Sequence, residues 1–320
     1  MEKVDKDKEV NMSKKILITG GAGFIGSHIA DKFANAPEEY EIIIVDNLVG
    51  GSINNFDQIK SKIKFYNVDV RDRNNLEKIF VDNDQIAYVF HHAAQVSVSV
   101  SVENPLYDAE ENIIGIVNVL DMCVKYNVEK ILFSSTAATY GVPKSSVSKE
   151  TDETTPIAPY GLTKLTGEKY IQMYSTLYDL NYIIFRYANV YGPRQSAHGE
   201  AGVVSIFSDR MKLNQELFID GDGEQTRDFI YVKDVANANY ICATENVQNK
   251  LFNVSTNEKT SVNELFNSMK KHFNYPKNVN YRDARIGDIR DSRLDNTELK
   301  TNTSWSPKYN LDSGLKEYAE

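Results

Sequence analysis

The stretch ILITGGAGFIGSH, residues 16–28, decides the fold that the sequence predicts. An apolar run reaches Thr19, glycines follow at Gly20, Gly23 and Gly26, and a segment of helical period begins. Side chains there would obstruct a tight turn, a close approach of the backbone to a ligand, and the packing of a helix on a strand. The spacing therefore predicts a strand, a turn and a helix whose first N–H groups face a pyrophosphate. A glycine turn that merely connects two elements is the alternative.

On either side of this unit, short apolar runs alternate with longer segments of helical period. Six runs are strand candidates: 15–19, 41–46, 63–68, 86–91, 130–135 and 182–187. Two of the segments between them, 105–126 and 160–178, are long and amphipathic. This alternation predicts an α/β protein with a Rossmann-type, doubly wound parallel sheet covered by helices on both faces.

Two aspartates follow predicted strands. A carboxylate at Asp46, about 20 residues beyond the glycines, can accept hydrogen bonds from an adenosine ribose and would repel a 2′-phosphate, which favours NAD over NADP. Asp69 ends the third run, in NVDVRD, and is a candidate for holding the adenine edge. Turn or helix-cap aspartates are the alternative interpretation of both.

The regular alternation fades after Tyr187, where the chain becomes rich in Gly, Asp and Gln. Residues 14–188 are therefore predicted to form an NAD-binding Rossmann domain, joined again by about 226–257. A smaller α/β lobe that binds substrate is predicted from residues 189–225 and 258–320. Residues 1–13 are predicted to be a flexible tail.

Composition and charge narrow the classes of partner. The 320 residues include 36 Lys and Arg against 45 Asp and Glu, a formal net charge of −9 at pH 7. This balance argues against nucleic acid or an anionic membrane as a main partner. No apolar run approaches the roughly 18 residues that cross a bilayer, and the charged start lacks the apolar core of a signal peptide. Cys123 and Cys242 have no disulfide or zinc spacing, so a cytoplasmic protein without a metal is expected.

A tyrosine and a lysine stand four residues apart in PYGLTK, at Tyr160 and Lys164, where the second long helix is predicted to begin. Their side chains would emerge on one face. A neighbouring ammonium stabilises a phenolate and lowers the pKa of the tyrosine, which can then take a hydroxyl proton as hydride leaves the same carbon. The preceding strand ends in Ser134, Ser135 and Thr136, at the edge where open α/β sheets bind ligands. An exposed helix pair and ordinary strand-end hydrogen bonds are the alternatives.

Seven motifs together resemble one family. They are TGGAGFIGSH, FHHAAQVSVSVSVENP, FSSTAATYG, YGLTK, FRYANVYGPRQ, GDGEQTRDFIYVKDV and ARIGDIRDS. In this order, from about Lys14 to Tyr318, they are similar to the extended short-chain dehydrogenase/reductase family, and most to its nucleotide-sugar 4-epimerases of the UDP-glucose type. The resemblance implies a UDP-sugar substrate and a tightly held NAD that is reduced and reoxidised within one turnover.

The resemblance also implies roles for individual residues. Tyr160 matches the general base, Lys164 the residue that lowers its pKa and holds the nicotinamide ribose, and Thr136 the proton relay. Cofactor-contact positions are matched by Gly20, Gly23, Phe24, Ile25, Gly26, Asp46, Asn47, Asp69, Val70, Ala93, Asn112, Ser134 and Tyr187.

Further positions match the family's contacts with the sugar nucleotide. The nucleotide diphosphate is held in the family at the positions of Asn189, Val203, Arg227, Arg285 and Asp288. Guanidinium groups suit that task because they bind phosphate oxygens bidentately, although a solvated surface arginine is the alternative for either one alone. Ser97 and Gln195 match positions near the sugar. His91 and His92 are expected to line the cofactor cleft and His198 to face solvent.

The residues after Thr136 bear on the reaction. In this family the 4,6-dehydratases have an Asp-Glu pair there and the glucuronate decarboxylases a nearby glutamate, whereas this chain has Ala137 and Ala138. A methyl group cannot transfer protons, so elimination lacks its acid and base. The resemblance therefore implies a 4-epimerase that interconverts UDP-glucose and UDP-galactose through a transient 4-keto sugar. A UDP-glucuronate 4-epimerase, a sugar-nucleotide dehydratase and a non-enzymatic nucleotide-binding protein are the alternatives.

Ser292 extends the expected substrate range. It is the fourth residue after Asp288 in the motif ARIGDIRDS. The family tends to have tyrosine there in enzymes restricted to glucose and galactose, and Cys or Ser where N-acetylated sugars are accepted. UDP-N-acetylglucosamine and UDP-N-acetylgalactosamine are therefore expected to interconvert as well, unless neighbouring side chains fill the space.

The resemblance implies a homodimer through the two long helices, because family members commonly pair in that way. Apolar residues on these helices are compatible with such a contact. They are Ile113, Ile116, Val117 and Leu120 on the first helix, and Tyr170, Met173 and Leu177 on the second.

Overall fold

The computed structural model describes residues 13–196, 202–284 and 289–320. Up to Tyr187 the strands are β1 (Lys14–Thr19), β2 (Tyr40–Val45), β3 (Ile63–Tyr66), β4 (Ile86–His91), β5 (Lys130–Thr136) and β6 (Asn181–Tyr187). The helices are α1 (Phe24–Ala34), α2 (Arg73–Asp82), α3 (Val98–Glu103), α4 (Pro105–Ala109), α5 (Gly115–Lys125) and α6 (Pro159–Tyr178). Two 3₁₀ segments, Ile53–Lys62 and Ala137–Thr139, and a π-helical turn, Glu110–Ile114, also occur in this part.

Beyond Tyr187 the elements are shorter. The strands are β7 (Asn189–Tyr191), β8 (Leu217–Asp220), β9 (Thr226–Arg227), β10 (Phe229–Tyr231), β11 (Lys250–Val254), β12 (Thr260–Ser261) and β13 (Val279–Arg282). The helices are α7 (Val203–Lys212), α8 (Val232–Thr244), α9 (Val262–His272), α10 (Thr297–Asn302) and α11 (Leu311–Ala319).

Seven of the strands form one parallel sheet, in the spatial order β3-β2-β1-β4-β5-β6-β11. The winding reverses between β1 and β4, so a crevice opens at their carboxyl ends, which is where doubly wound sheets bind ligands. The central strand β4 is buried at every position because helices cover both faces. The predicted Rossmann-type α/β fold is confirmed.

Two apolar layers enclose this sheet. On one face α1 and α8 pack on the strands, and Phe33 of α1 meets Phe90 of β4 edge to face at 5.2 Å between ring centroids. On the other face α2, α5 and α6 pack on the sheet through residues such as Leu120 and Ile171. These layers fix where the strand ends and the first turns of the helices point.

A second, smaller core follows β6 in the chain. It is built from α7, α9 and α11 around Tyr191, Phe207 and Leu265. Its strands form short pairs: β7 with β10 and β8 with β13 in parallel, and β9 with β12 in antiparallel. This α/β cluster stands beside the carboxyl edge of the main sheet, since β7 begins two residues after β6 ends.

Two details of the structure add to the predicted elements. The sheet has a seventh strand, Lys250–Val254, which pairs with β6 and was not among the six runs because it lies far along the chain, within 226–257. The helix predicted over 105–126 is divided into α4, a π-helical turn and α5. The wider turn carries two consecutive buried polar side chains, Glu111 and Asn112, which an apolar pattern does not foresee.

Candidate active site

The glycine turn joins β1 to α1 at the centre of the carboxyl edge. Gly20 has φ +67°, and a Cβ there would lie 2.6 Å from the backbone nitrogen of Ala93. A Cβ on Gly26 would collide with the carbonyl oxygen of Gly20. Helix α1 then begins after Gly23 without a side-chain cap, which leaves its first N–H groups for a ligand. The glycine turn, residues 20–23, and the first turn of α1 together form what we call the glycine cradle. Its geometry fits a dinucleotide pyrophosphate.

The predicted contacts on α1 lie at its first turn. Phe24 and Ile25 are half-buried there, and the Phe24 carbonyl oxygen lies 2.9 Å from Nδ1 of His28. Burial lowers the pKa of His28 to about 4. A neutral imidazole therefore supports the start of the helix.

Asp46 lies just beyond β2, buried against the glycine turn. Its carboxylate accepts hydrogen bonds from the backbone N–H groups of Ala22 at 3.0 Å and Leu48 at 2.8 Å. Burial raises the pKa of Asp46, and these two hydrogen bonds oppose that shift. The side chain is thus held at the carboxyl edge, where the sequence places the ribose contact.

Asp69 accepts more hydrogen bonds from other protein groups than the sequence indicates. It accepts from Arg71 through the backbone N–H, Nε and Nη2, and from Asn47 Nδ2 at 3.0 Å. These contacts, those from the Arg71 side chain first, lower the pKa of Asp69 to about 2. Arg71 also pairs with Glu111 at 2.9 Å. Asp69 therefore stabilises the turn with Arg71 and holds Asn47, and Val70, the next residue, is buried.

The candidate catalytic pair begins α6. Lys164 is buried, and its Nζ donates to the carbonyl oxygen of Ser134 at 2.9 Å. Burial lowers the pKa of Lys164 to about 8. Tyr160, one turn earlier on the same helix, is half-buried. Thr136 ends β5 beside them, and its Oγ1 accepts from the backbone N–H of Ala138 at 3.2 Å.

Two histidines lie at the floor of the crevice, His91 buried and His92 half-buried. Nδ1 of His91 lies 2.8 Å from Oγ1 of Thr19, and Nε2 of His92 lies 3.1 Å from the hydroxyl of Tyr187. Burial lowers the pKa of both, that of His92 to about 3, so both rings are neutral. Tyr187 also accepts from Asn239 at 2.8 Å. Ala93 follows the histidines and donates its N–H to Thr19 at 3.3 Å.

A polar cluster beside this floor was missed by the sequence analysis, apart from Asn112 and Ser97. Asn112 donates to Asp108 at 2.9 Å and to the carbonyl oxygen of Gln95 at 3.0 Å. Asp108 also accepts from Gln95 at 2.7 Å and from Thr163 at 2.8 Å. Ser97, the cap of α3, accepts from the N–H of Val100 at 3.1 Å. An aspartate inside an amphipathic helix was the only signal available.

A buried ion pair behind β5 was also missed. Arg186 of β6 donates to Glu168 of α6 at 3.0 Å and 2.7 Å, and Ser135 donates to the same carboxylate at 2.5 Å. Arg186 also lies 4.7 Å from the centroid of Tyr140. This pair fixes α6 against the strand that carries Ser134 and Thr136.

The substrate residues predicted in the second lobe are spread over several elements. Asn189 opens β7 and is exposed, Gln195 donates to the carbonyl oxygen of Val190 at 3.2 Å, and Val203 opens α7. The Arg227 side chain donates to the carbonyl oxygen of Thr226 at 2.8 Å, and the N–H of Ser292 donates to the same oxygen at 3.1 Å. Ser292 and Arg227 thus lie close together. Arg285, Asp288, His198 and residues 1–12 of the predicted tail lie outside the described residues.

Neither a metal cluster nor a membrane-spanning helix occurs among the described residues. Across 13–196, 202–284 and 289–320, no group of three or more His, Cys, Asp or Glu is arranged to hold a metal ion. In the same parts of the chain, no helix has the length and apolar character needed to cross a membrane.

Known proteins share this fold and much of this sequence. The NAD dependent epimerase/dehydratase family matches residues 16–255. A UDP-glucose 4-epimerase from Thermotoga maritima, solved with UDP-glucose, is 44% identical with a TM-score of 0.90, covering 95% of this chain and 97% of that one. The Thermus thermophilus UDP-glucose 4-epimerase, solved with NAD, is 36% identical with a TM-score of 0.86 and the same coverage.

A third similar structure is named for a different substrate. It is a UDP-N-acetylglucosamine 4-epimerase from Methanobrevibacter ruminantium in complex with UDP-N-acetylmuramic acid, 34% identical with a TM-score of 0.90, covering 96% of this chain and 97% of that one. The resemblance seen in the motifs is confirmed by these matches. With the family match extending over 16–255, the chain belongs to the NAD-dependent epimerase/dehydratase family.

Proposed function

We propose that this protein is an NAD-dependent nucleotide-sugar 4-epimerase that interconverts UDP-glucose and UDP-galactose. The observation that carries the proposal is the position of Lys164, buried one turn after Tyr160 and bonded to the Ser134 carbonyl at the end of β5. This is the crevice where a doubly wound sheet binds its ligands. The similar enzymes of Thermotoga maritima and Thermus thermophilus carry the same activity in their names.

The glycine cradle and Asp46 would hold NAD. N–H groups at the start of α1 suit its pyrophosphate, and the buried carboxylate of Asp46 suits its adenosine ribose. The chemistry that bound NAD supplies is reversible hydride transfer at C4 of the sugar. Asn47, Asp69 and Val70 would border the adenine through the turn that Arg71 stabilises.

Acid–base work falls to three side chains. Tyr160 takes the proton of the C4 hydroxyl at its phenol oxygen while the carbon–hydrogen bond at C4 breaks, and it later returns that proton. The Lys164 ammonium stabilises the phenolate, because a nearby positive charge favours the ionised form. Thr136 relays the proton between the sugar and Tyr160. The intermediate is a 4-keto sugar, and its rotation before hydride returns produces the C4 epimer.

Elimination and decarboxylation are disfavoured at this site. Ala137 and Ala138 form the 3₁₀ segment after Thr136, so the residues that follow the relay bear methyl groups there. Proton removal at C5 and protonation of a leaving hydroxyl both need a group that exchanges protons. A dehydratase or decarboxylase would therefore need an acid and a base from elsewhere.

The substrate range is proposed to include the N-acetylated pair, UDP-N-acetylglucosamine and UDP-N-acetylgalactosamine. Ser292 is small and lies beside Arg227 through their shared partner, the Thr226 carbonyl. An N-acetyl group needs more room than a hydroxyl during rotation of the sugar. The similar enzyme of Methanobrevibacter ruminantium is named for UDP-N-acetylglucosamine.

A division of labour between the two parts of the chain supports this chemistry. Residues 14–188, with about 226–257, would bind NAD, and residues 189–225 and 258–320 would bind the sugar nucleotide. Substrate contacts are assigned to Ser97, Asn189, Gln195, Val203, Arg227, Arg285, Asp288 and Ser292.

A homodimer through α5 and α6, in the cytoplasm, completes the proposal. Ile116 and Leu120, which the sequence offered for the contact, are fully buried against the sheet. Leu177, also offered by the sequence, is 61% exposed, and two further apolar side chains, Leu106 and Leu162, are 68% and 55% exposed. Contiguous exposed apolar surface is typical of protein–protein interfaces, so these side chains support the proposed contact.

The decisive experiment adds UDP-glucose to the purified protein and assays UDP-galactose. Tyr160→Phe is expected to keep its bound NAD and to lower turnover about 10²–10⁴-fold, the usual contribution of general acid–base catalysis. Tyr126→Phe is the matched control, since that phenol contacts Glu77 at the far end of α5. A 4-keto-6-deoxy product or no product from the wild-type protein would refute the proposal, and full activity in Tyr160→Phe would refute the assignment of the base.

A further inference from the structure

Asp108 of α4 is an aspartate with no exposed surface, placed between α4 and α6. Its Oδ1 accepts from Gln95 Nε2 at 2.7 Å and from Asn112 Nδ2 at 2.9 Å. Its Oδ2 accepts from the hydroxyl of Thr163 at 2.8 Å. Three donors from three parts of the chain therefore converge on one buried carboxylate.

The hydrogen bonds around Asp108 are those that a carboxylate accepts. The amide nitrogens of Gln95 and Asn112 only donate, and each carboxylate oxygen accepts at least one bond. A carboxylate accepts at both oxygens, so all three donors can point at it together. The cluster thus holds a negative charge in the interior, where a charge needs a compensating partner.

The buried cation nearest in the chain to this cluster is Lys164, the neighbour of Thr163. Lys164 is itself buried, and Nζ donates to the carbonyl oxygen of Ser134, a neutral group. Burial lowers the pKa of Lys164, and the charge of Asp108 acts in the opposite direction. Asp108 on α4 and Lys164 on α6 are thus oppositely charged buried groups linked through Thr163, which is bonded to Asp108 and precedes Lys164 in the chain.

We propose that Asp108 is a positioning residue for the reaction, a fixed buried anion that keeps the Lys164 ammonium charged and holds the first turn of α6 through Thr163. This rests on the proposed function for its consequence in catalysis. The charge pair itself is a property of the fold and can be measured without turnover.

The other groups around Lys164 do not supply a compensating anion. His91 and His92, at the end of β4, are neutral because burial lowers the pKa of each. Glu168, one turn further along α6, is paired with Arg186 at 2.7 Å. Tyr160 is the group that the ammonium is proposed to activate. Among the described residues, Asp108 is thus the carboxylate positioned to balance the charge.

Asp108→Asn isolates the charge from the hydrogen bonds. The new Oδ1 can accept from Gln95 and Asn112, and the new Nδ2 can donate to Thr163, whose hydroxyl lies 3.0 Å from the carbonyl oxygen of Tyr160 and can donate there. Thr163→Val does the reverse, because it keeps the anion and removes the hydroxyl that bonds Asp108, the Tyr160 carbonyl oxygen and Asn112. Glu111→Gln is the matched control, a buried carboxylate on the following turn that pairs with Arg71.

The first measurement is the pH dependence of kcat/KM for UDP-glucose epimerisation. Asp108→Asn is expected to move the alkaline limb down by about one pH unit, the lower end of the shift that an opposite charge produces. Thr163→Val and Glu111→Gln are expected to leave that limb in place. An unmoved limb in Asp108→Asn, or an equal shift in Thr163→Val, would overturn the proposal.

The second measurement needs no activity. Urea midpoints of Asp108→Asn, Lys164→Met and the double variant form a cycle. The double variant is expected to lose less free energy of unfolding than the two single variants lose in sum, because both charges are removed together. Additive losses would overturn the proposal. If Asp108→Asn alone does not fold, the double variant is expected to fold, and its failure would count against the charge pair. An inactive wild-type protein with a coupled cycle would refute the epimerase function alone.

Discussion

Lys164 Nζ and the main-chain oxygen of Ser134 are joined by a hydrogen bond of 2.9 Å. The bond ties the first turn of α6 to the carboxyl end of β5. An ammonium has three donors, so two are left for a ribose and for the phenol of Tyr160. Because the carbonyl is fixed by the sheet, the lysine holds its position before any ligand arrives.

Replacing Lys164 by methionine tests this arrangement. Lys164→Met removes the charge that stabilises the phenolate, and turnover of UDP-glucose is expected to fall about 10²-fold or more. Steady-state assays and the NAD retained per chain measure the loss. Lys169→Met, an exposed lysine on the same helix, is expected to match the wild-type protein. Comparable losses in both variants would mean that the effect belongs to the helix and not to the charge.

The glycine cradle gives a test with a close internal control. Gly26→Ala would force a Cβ against the carbonyl oxygen of Gly20, whereas a Cβ on Gly50 meets nothing within 4 Å. Overpacking of this kind costs about 1–3 kcal/mol of stability. Gly26→Ala is therefore expected to lower Tm and NAD retention, and Gly50→Ala to change neither. Full NAD retention in Gly26→Ala would show that the glycine cradle is not part of the NAD-binding site.

Sequence spacing was enough to place the parts of the site that depend on local structure. Gly20, Asp46 and Lys164 follow from a turn, a strand end and one turn of helix, each encoded within a few residues. Asp108 and Thr163 are 55 residues apart, and their contact depends on how α4 packs on α6. No local period encodes that packing, so the cluster emerged only from the fold.

The negative charge of Asp46, just after β2, predicts which cofactor the protein prefers. Asp46 lies buried beside Ala22 and Leu48, and a carboxylate there repels the 2′-phosphate of NADP. The wild-type protein is expected to bind NAD in preference to NADP. Asp46→Asn should narrow the ratio of the two dissociation constants by about tenfold, since one lost repulsion is worth about 1.4 kcal/mol. An unchanged ratio, measured by fluorescence titration, would contradict the assignment.

Acid stability is predicted from His28. Its pKa is 6.5 in the unfolded chain and about 4 in the folded protein, where burial disfavours the charged ring. Between these values the unfolded chain binds more protons, so the free energy of unfolding falls as pH falls. Between about pH 7.5 and about pH 5, this histidine alone lowers the free energy of unfolding by about 2 kcal/mol. His28→Gln should reduce the measured loss in urea unfolding by that amount; equal losses in both proteins would show that the ring is already charged.

Ser292→Tyr tests the substrate range. The backbone of Ser292 is anchored by its N–H to the Thr226 carbonyl, to which Arg227 also donates, so an aromatic ring at 292 would be introduced next to the proposed diphosphate contact. Turnover of UDP-N-acetylglucosamine is expected to fall about tenfold or more, within the range that pocket shape provides. Turnover of UDP-glucose should change far less, and Ser292→Ala should preserve both. Coupled assays on the two sugar pairs measure the ratio. Identical ratios in Ser292→Tyr and the parent would mean that neighbouring side chains, and not residue 292, set the room for the acetamido group.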